Sequence, residues 1–110
     1  MTKINIKALS VNKAWQGRRF KTIDYVAYER MVLHSLPPLI IPDGGLQVTI
    51  DFGFSSKLSD IDNGLKPFLD ILQKRYDFDD KRIHRLIVDK TMVKKGGEYI
   101  AFFIQEYTIY

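Results

Sequence analysis

Two acidic groupings hold the side chains best equipped for chemistry in this chain of 110 residues: Asp60-Ile61-Asp62-Asn63 and Asp77-Phe78-Asp79-Asp80. Close carboxylates repel one another, and their pKa values rise and separate unless a cation lies between them. Hard divalent cations such as Mg2+ and Mn2+ want oxygen ligands, commonly a few carboxylates completed by waters. Lys66 follows Asp62 by one helical turn, so its ammonium can neutralise the carboxylates or contact a phosphate. In phosphodiester hydrolysis a metal activates water and clamps the phosphate, while such a cation stabilises developing charge. Each residue taken singly also has a simpler reading. Asp62 can cap a helix, Lys66 can form an ordinary i,i+4 pair with it, and Asp79 and Asp80 can be turn residues.

These side chains must be positioned by an α+β domain. Alternation of Ile4, Ile6 and Ala8 with polar neighbours predicts a strand over residues 3–9. A helix is predicted from an N-cap at Thr22 to about Leu36, with Tyr25, Tyr28, Val32 and Leu36 on one face and Pro37-Pro38 ending it. Residues 46–54, LQVTIDFGF, alternate with period 2 and form the clearest strand. A second helix is predicted to start at residue 62 or 63, because Pro67 fits only in or just after a first turn, and to end near Arg75. Its apolar face reads Leu65, Phe68, Leu69, Leu72 and Tyr76. Two strands near 83–93 and 98–109 are expected to pair as a hairpin through Lys94-Lys95-Gly96-Gly97. The order β-α-β-α-β-β implies one mixed sheet with two helices packed on it, in a single domain spanning residues 1–110. The second helix separates the two acidic groups by roughly 20 Å, so the later group must fold back along it to share a site with the earlier one.

Composition narrows the function classes. There is no cysteine, so disulfides, thiolate zinc sites and a Cys nucleophile are excluded. No apolar run approaches the ~20 residues of a membrane span and no signal-peptide block opens the sequence, so a cytoplasmic location with no membrane partner is expected. His34 and His84 lack metal-ligand spacing, and no phosphate-binding glycine loop is present, so no nucleotide cofactor is expected. The net charge of +4 is concentrated: residues 1–36 carry seven Lys and Arg against two acids, whereas the remainder carries ten against eleven. Residues 11–21, VNKAWQGRRFK, hold Lys13, Arg18, Arg19 and Lys21 with no acid, around Trp15, which can stack on a base or anchor the loop. A polyanionic partner is one reason to build such a segment, and a solvated basic loop is another.

Several stretches together resemble the RusA family of Holliday junction resolvases, small endodeoxyribonucleases of bacteria and phages. They are Ser59-Asp60-Ile61-Asp62-Asn63-Gly64-Leu65-Lys66, Phe68-Leu69-Asp70-Ile71-Leu72, Phe78-Asp79-Asp80-Lys81-Arg82-Ile83, Lys95-Gly96-Gly97-Glu98, and Asn12 through Thr22, which is like that of phage members. The resemblance implies a RusA-like fold, with Asp60, Asp62 and Asp80 matching the family's metal-site aspartates and Lys66 its catalytic lysine. Asp79 and Asn63 take supporting roles, although a slightly shortened connection leaves Asp79 able to replace Asp80. It further implies Mg2+ or Mn2+ as cofactor and a homodimer making paired, symmetric cuts in four-way DNA junctions. Backbone contacts fall to Lys13, Arg18, Arg19 and Lys21, with Lys57, Lys94 and Lys95. The competing expectations are a non-catalytic DNA-binding module and a phage assembly protein.

Overall fold

The computed structural model describes residues 1–10, 15, 16 and 20–109, with the side chains of Trp15, Gln16 and Phe20 left aside. Among the described residues the chain is α+β, with a four-stranded mixed sheet, a two-stranded ribbon and two α-helices. Its elements are β1 (Thr2–Ile4), β2 (Trp15–Gln16), β3 (Phe20–Lys21), α1 (Ile23–Ser35), β4 (Leu46–Phe54), α2 (Leu65–Tyr76), a 3-10 turn (Asp80–Arg82), β5 (Ile83–Met92) and β6 (Tyr99–Glu106). Among the described residues no helix is long and apolar enough to cross a membrane.

β4 is the centre of the sheet because its alternation is the strongest. Leu46, Val48, Ile50 and Phe52 are fully buried on one face. The spatial order is β1-β6-β4-β5, with β4 parallel to β5 and antiparallel to β6. The parallel pair is joined through α2, as a crossover requires. This overturns the expected hairpin. β5 and β6 are not neighbours, and residues 93–98 pass over the end of β4 instead. The crossing is fastened to β4 by Val93 N–H donating to the Phe54 carbonyl (2.8 Å) and Ser55 Oγ donating to the Glu98 carboxylate (2.7 Å). The predicted turn is real, with Gly97 N–H on the Lys94 carbonyl and Gly96 at φ 94°, but it spans a strand. Turn chemistry identifies a reversal and cannot tell which strand the returning chain will meet.

β1 is also shorter than the alternation over residues 3–9 implies. Its partner β6 begins at Tyr99, so only Thr2–Ile4 find a ladder, against Ile100–Phe102. Ile6, Ala8 and Leu9 pack against the core without pairing. The basic segment contains a short antiparallel ribbon, Trp15 opposite Lys21 and Gln16 opposite Phe20, where only a loop was expected.

The two helices cover the β4 face that carries Val48, Ile50 and Phe52. In α1 the expected cap and face are present: Thr22 Oγ1 accepts from Tyr25 N–H (3.1 Å), and Tyr25, Tyr28, Val32 and Leu36 are buried. In α2 the buried set is Pro67, Phe68, Ile71, Leu72 and Tyr76, and Leu65 and Leu69 sit only half-buried at its margin. Phe68 meets Phe52 and Phe102 edge-on, at centroid distances of 6.2 and 5.7 Å.

Glu29 ties the helices together, with Lys74 Nζ at 3.0 Å and Lys21 Nζ at 3.2 Å. Burial raises its pKa, but the hydrogen bonds and charges of the two lysines outweigh this and hold it below the usual glutamate value. A depressed folded-state pKa contributes stability above the unfolded-state value, which is lost as pH falls through the folded value. Glu29→Gln should therefore lower stability by about 1 kcal/mol at neutral pH, since both lysines are largely solvated. Thermal melts should show the deficit at neutral pH and its disappearance in strong acid.

Candidate functional site

α2 starts two to three residues later than predicted, and this determines where the acids lie. Residues 60–64 form successive turns, with Asn63 N–H on the Asp60 carbonyl (3.0 Å) and Leu65 N–H on the Asp62 carbonyl (3.1 Å). Gly64 occupies the N-cap position, with no side chain to cap. A Cβ there would come within 2.8 Å of the Ala8 Cβ and 3.4 Å of the Phe52 ring, so the close approach of the turn to the core requires glycine. Asp62 thus precedes the helix and does not cap it. Lys66 pairs forward with Asp70 (Nζ to Oδ1 3.4 Å), not back to Asp62.

At the other end, Asp77 takes the left-handed conformation (φ 53°, ψ 56°) that ends many helices, and Phe78 N–H returns to the Gln73 carbonyl (3.3 Å). Asp77 is thus a chain-reversing C-cap. Phe78 is buried and anchors the reversal. The next residues run back along α2, and Asp80 N–H donates to Gln73 Oε1 at 3.0 Å. Asp79 caps the 3-10 turn, its Oδ1 accepting from Lys81 N–H at 2.9 Å. That backbone hydrogen bond, followed by one with Asp80, holds the Asp79 carboxyl below the usual range.

The outcome is a groove of about 390 Å3 along the exposed side of α2, lined by Asp62, Leu65, Lys66, Leu69, Asp70, Gln73 and Asp80. Leu65 and Leu69 form its apolar strip. Asp62, Lys66 and Asp80 share this groove; Asp79 and Asp60 do not line it. Asp60 is exposed on the preceding turn, next to Ser59, whose carbonyl accepts from Lys90 Nζ. Asn63 points into a separate cleft with Lys7, Ser10 and Ser59, where its Oδ1 accepts from Ser10 Oγ at 3.0 Å. Sequence reasoning missed Asp70 and Gln73 as groove residues. The signal was their helical spacing from Lys66, which places all three on one polar stripe.

The donor set is all oxygen, which suits Mg2+ or Mn2+ bound through one or two carboxylates with several waters retained. Among the described residues no three acidic or histidine side chains stand close enough together to hold an ion between them. Leu65 to Gln73 rises about 12 Å along the helix axis, and Asp80 is tied to Gln73, at the end of the groove away from Asp62. The residues accordingly fit a hydrated ion on one or two carboxylates.

Of the expected DNA contacts, Lys13, Arg18 and Arg19 lie outside the described residues. Lys21 is engaged by Glu29 and lies over the Tyr25 ring, 4.9 Å from its centroid. Lys57, Lys94 and Lys95 are exposed on the two loops that follow β4 and β5, at the shared end of the parallel pair. The chain matches no protein-family model and no curated protein.

Proposed function

We propose that this chain is a RusA-like, metal-dependent endodeoxyribonuclease that cuts four-way DNA junctions as a homodimer. The observation that carries the reading is that Asp62, Lys66 and Asp80, three of the four residues expected to do the chemistry, line one groove although 18 positions separate the two aspartates. Of Asp60, Asp62 and Asp80, one or two carboxylates would hold a hydrated Mg2+ or Mn2+ directly. When bound, such an ion supplies an activated water and neutralises charge at the phosphate. The protein's own groups do the rest. Lys66 meets charge developing on a phosphate oxygen, and Asp70 holds the ammonium in place. Gln73 and Asp79 fix the backbone around Asp80. Lys57, Lys94 and Lys95, with the basic segment of Lys13, Arg18, Arg19 and Lys21, track the DNA backbone.

A synthetic four-way junction, incubated with Mg2+ and with EDTA beside linear duplex, tests the reading. Paired nicks in the junction, absent with EDTA, are expected. Junction binding should also fall by about a thousandfold or more between roughly 50 and 200 mM salt, as about six or more phosphate contacts require. Salt-sensitive binding without any cutting would leave a non-catalytic DNA-binding module. No DNA affinity at moderate salt would leave an assembly protein.

A further inference from the structure

One lysine stands where the pattern of its strand calls for an apolar residue. On β5, Leu86, Val88, Lys90 and Met92 share the face turned toward the helices, by the two-residue period of a strand. Lys90 lies in register beside Phe52 of β4, which is fully buried on that face. A lysine in such a place lays its stem along the apolar surface and carries its ammonium to the rim. Lys90 is half-buried, and its Nζ donates to the main-chain carbonyl of Ser59. Among the described residues it has no carboxylate partner, and Asp60 and Asp62 have no cation.

The carbonyl that Lys90 holds belongs to the peptide unit joining Ser59 to Asp60, so the bond orients the backbone from which Asp60 rises. Ser59 stands just before the turns that carry both acids. The far end of those turns is held separately. Asn63 Oδ1 accepts from Ser10 Oγ (3.0 Å), and Gly64 packs where a Cβ would meet Ala8 and Phe52. Between the two anchors Asp60, Ile61 and Asp62 are exposed. Without Lys90, Asp60 loses its fixed approach, whereas Asp62 keeps the neighbour that Ser10 secures. Water can satisfy a half-exposed carbonyl, so the fold does not require a lysine there.

We infer that Lys90 is a positioning residue, which holds the Asp60 end of these turns in the geometry that presents a carboxylate to a hydrated divalent cation. The role in metal binding rests on the nuclease reading; the anchoring does not. A cation seated on the carbonyl beside two like charges also offsets their mutual repulsion while no metal is bound. Groups that orient ligands without touching the ion typically change metal affinity by about 10–100-fold when removed.

Hydrogen exchange and Mn2+ titration of the full chain test the two parts, with Lys90→Met, which keeps an apolar stem, and Lys90→Arg, which keeps the donor. In Lys90→Met the Asn63 amide, bonded to the Asp60 carbonyl, should exchange about tenfold faster, while the Leu65 amide, on the Asp62 carbonyl, should stay within about threefold. Water-proton relaxation should give an Mn2+ Kd about tenfold weaker for Lys90→Met, with a melting temperature within about 3 °C of wild type. Lys90→Arg should restore both exchange and affinity. Junction cleavage by Lys90→Met should need about tenfold more Mg2+ and approach the wild-type rate once the metal saturates. Unchanged exchange at Asn63 in Lys90→Met overturns the anchoring. Faster exchange with an unchanged Mn2+ Kd overturns the role in metal binding, as does failure of Lys90→Arg to restore affinity. A wild-type chain that binds no Mn2+ and cuts no junction, with Asn63 exchange still accelerated in Lys90→Met, counts against the nuclease and with it the metal role, and upholds the anchoring.

Discussion

Asp62→Asn is expected to reduce Mg2+-dependent junction cleavage by about a thousandfold or more while leaving junction affinity equal to or higher than that of the wild type. The substitution keeps the shape of the side chain and removes its charge. Asp62 is exposed, and its role in the turn is played by its main-chain carbonyl, so the fold should not change. Loss of a negative charge facing phosphate removes repulsion, which is why binding should hold or rise. Asp80→Asn should behave alike, since Asp80 lines the same groove. Asp79→Asn should not: its carboxylate is committed to Lys81 N–H, and an asparagine oxygen can accept the same hydrogen bond. Cleavage rates of these three variants on one junction decide the matter. If Asp62→Asn cuts as fast as wild type, the catalytic assignment is wrong; if Asp79→Asn and not Asp80→Asn is inactive, the third ligand is Asp79.

Phe68→Ala should cost about 3–5 kcal/mol, a large part of the ~5–15 kcal/mol that holds a domain together. Phe68 is fully buried, and its ring meets Phe52 of β4 and Phe102 of β6 edge-on. Removing it empties the contact between α2 and the two central strands. The melting temperature should fall by about 15 °C or more in a thermal scan. Leu69→Ala, one residue away but at the groove margin and half-buried, should cost distinctly less. Equal losses for the two would mean that the groove side of α2 is part of the core. Because α2 also carries Lys66, Asp70 and Gln73, Phe68→Ala should lower cleavage through the fold, and lowering the assay temperature should recover activity. Asp62→Asn should show no such recovery.

Local pattern carried much of this architecture. The β4 boundaries follow from strict alternation, and α1 follows from a capping threonine and a Tyr/Val/Leu face. What local pattern could not carry were the choices made by partners. β5 and β6 read as two strands around a Gly-Gly turn, and nothing in their residues says that β4 lies between them. β1 ends where β6 stops offering hydrogen bonds, although the alternation continues through Ala8. The same holds for the groove. The return of Asp80 toward α2 was a topological requirement in the sequence, met through a left-handed Asp77 and the side chain of Gln73. The partner of Lys66 changed from Asp62 to Asp70 because a glycine, and not an aspartate, opens the helix.

The placement of β4 between two strands that come later in the chain has a consequence for synthesis. Every long-range partner of this strand is translated after it, up to Glu106 opposite Leu46, and Lys3 waits for Ala101. At about 5–20 residues per second, the roughly 50 residues that follow β4 take several seconds to emerge. For that interval the nascent chain displays LQVTIDFGF, a β-prone window with a single charge, with no strand on either side of it. High contact order of this kind slows folding as well. It makes the ribosome-bound chain, more than the finished domain, the form most exposed to aggregation and most in need of a chaperone.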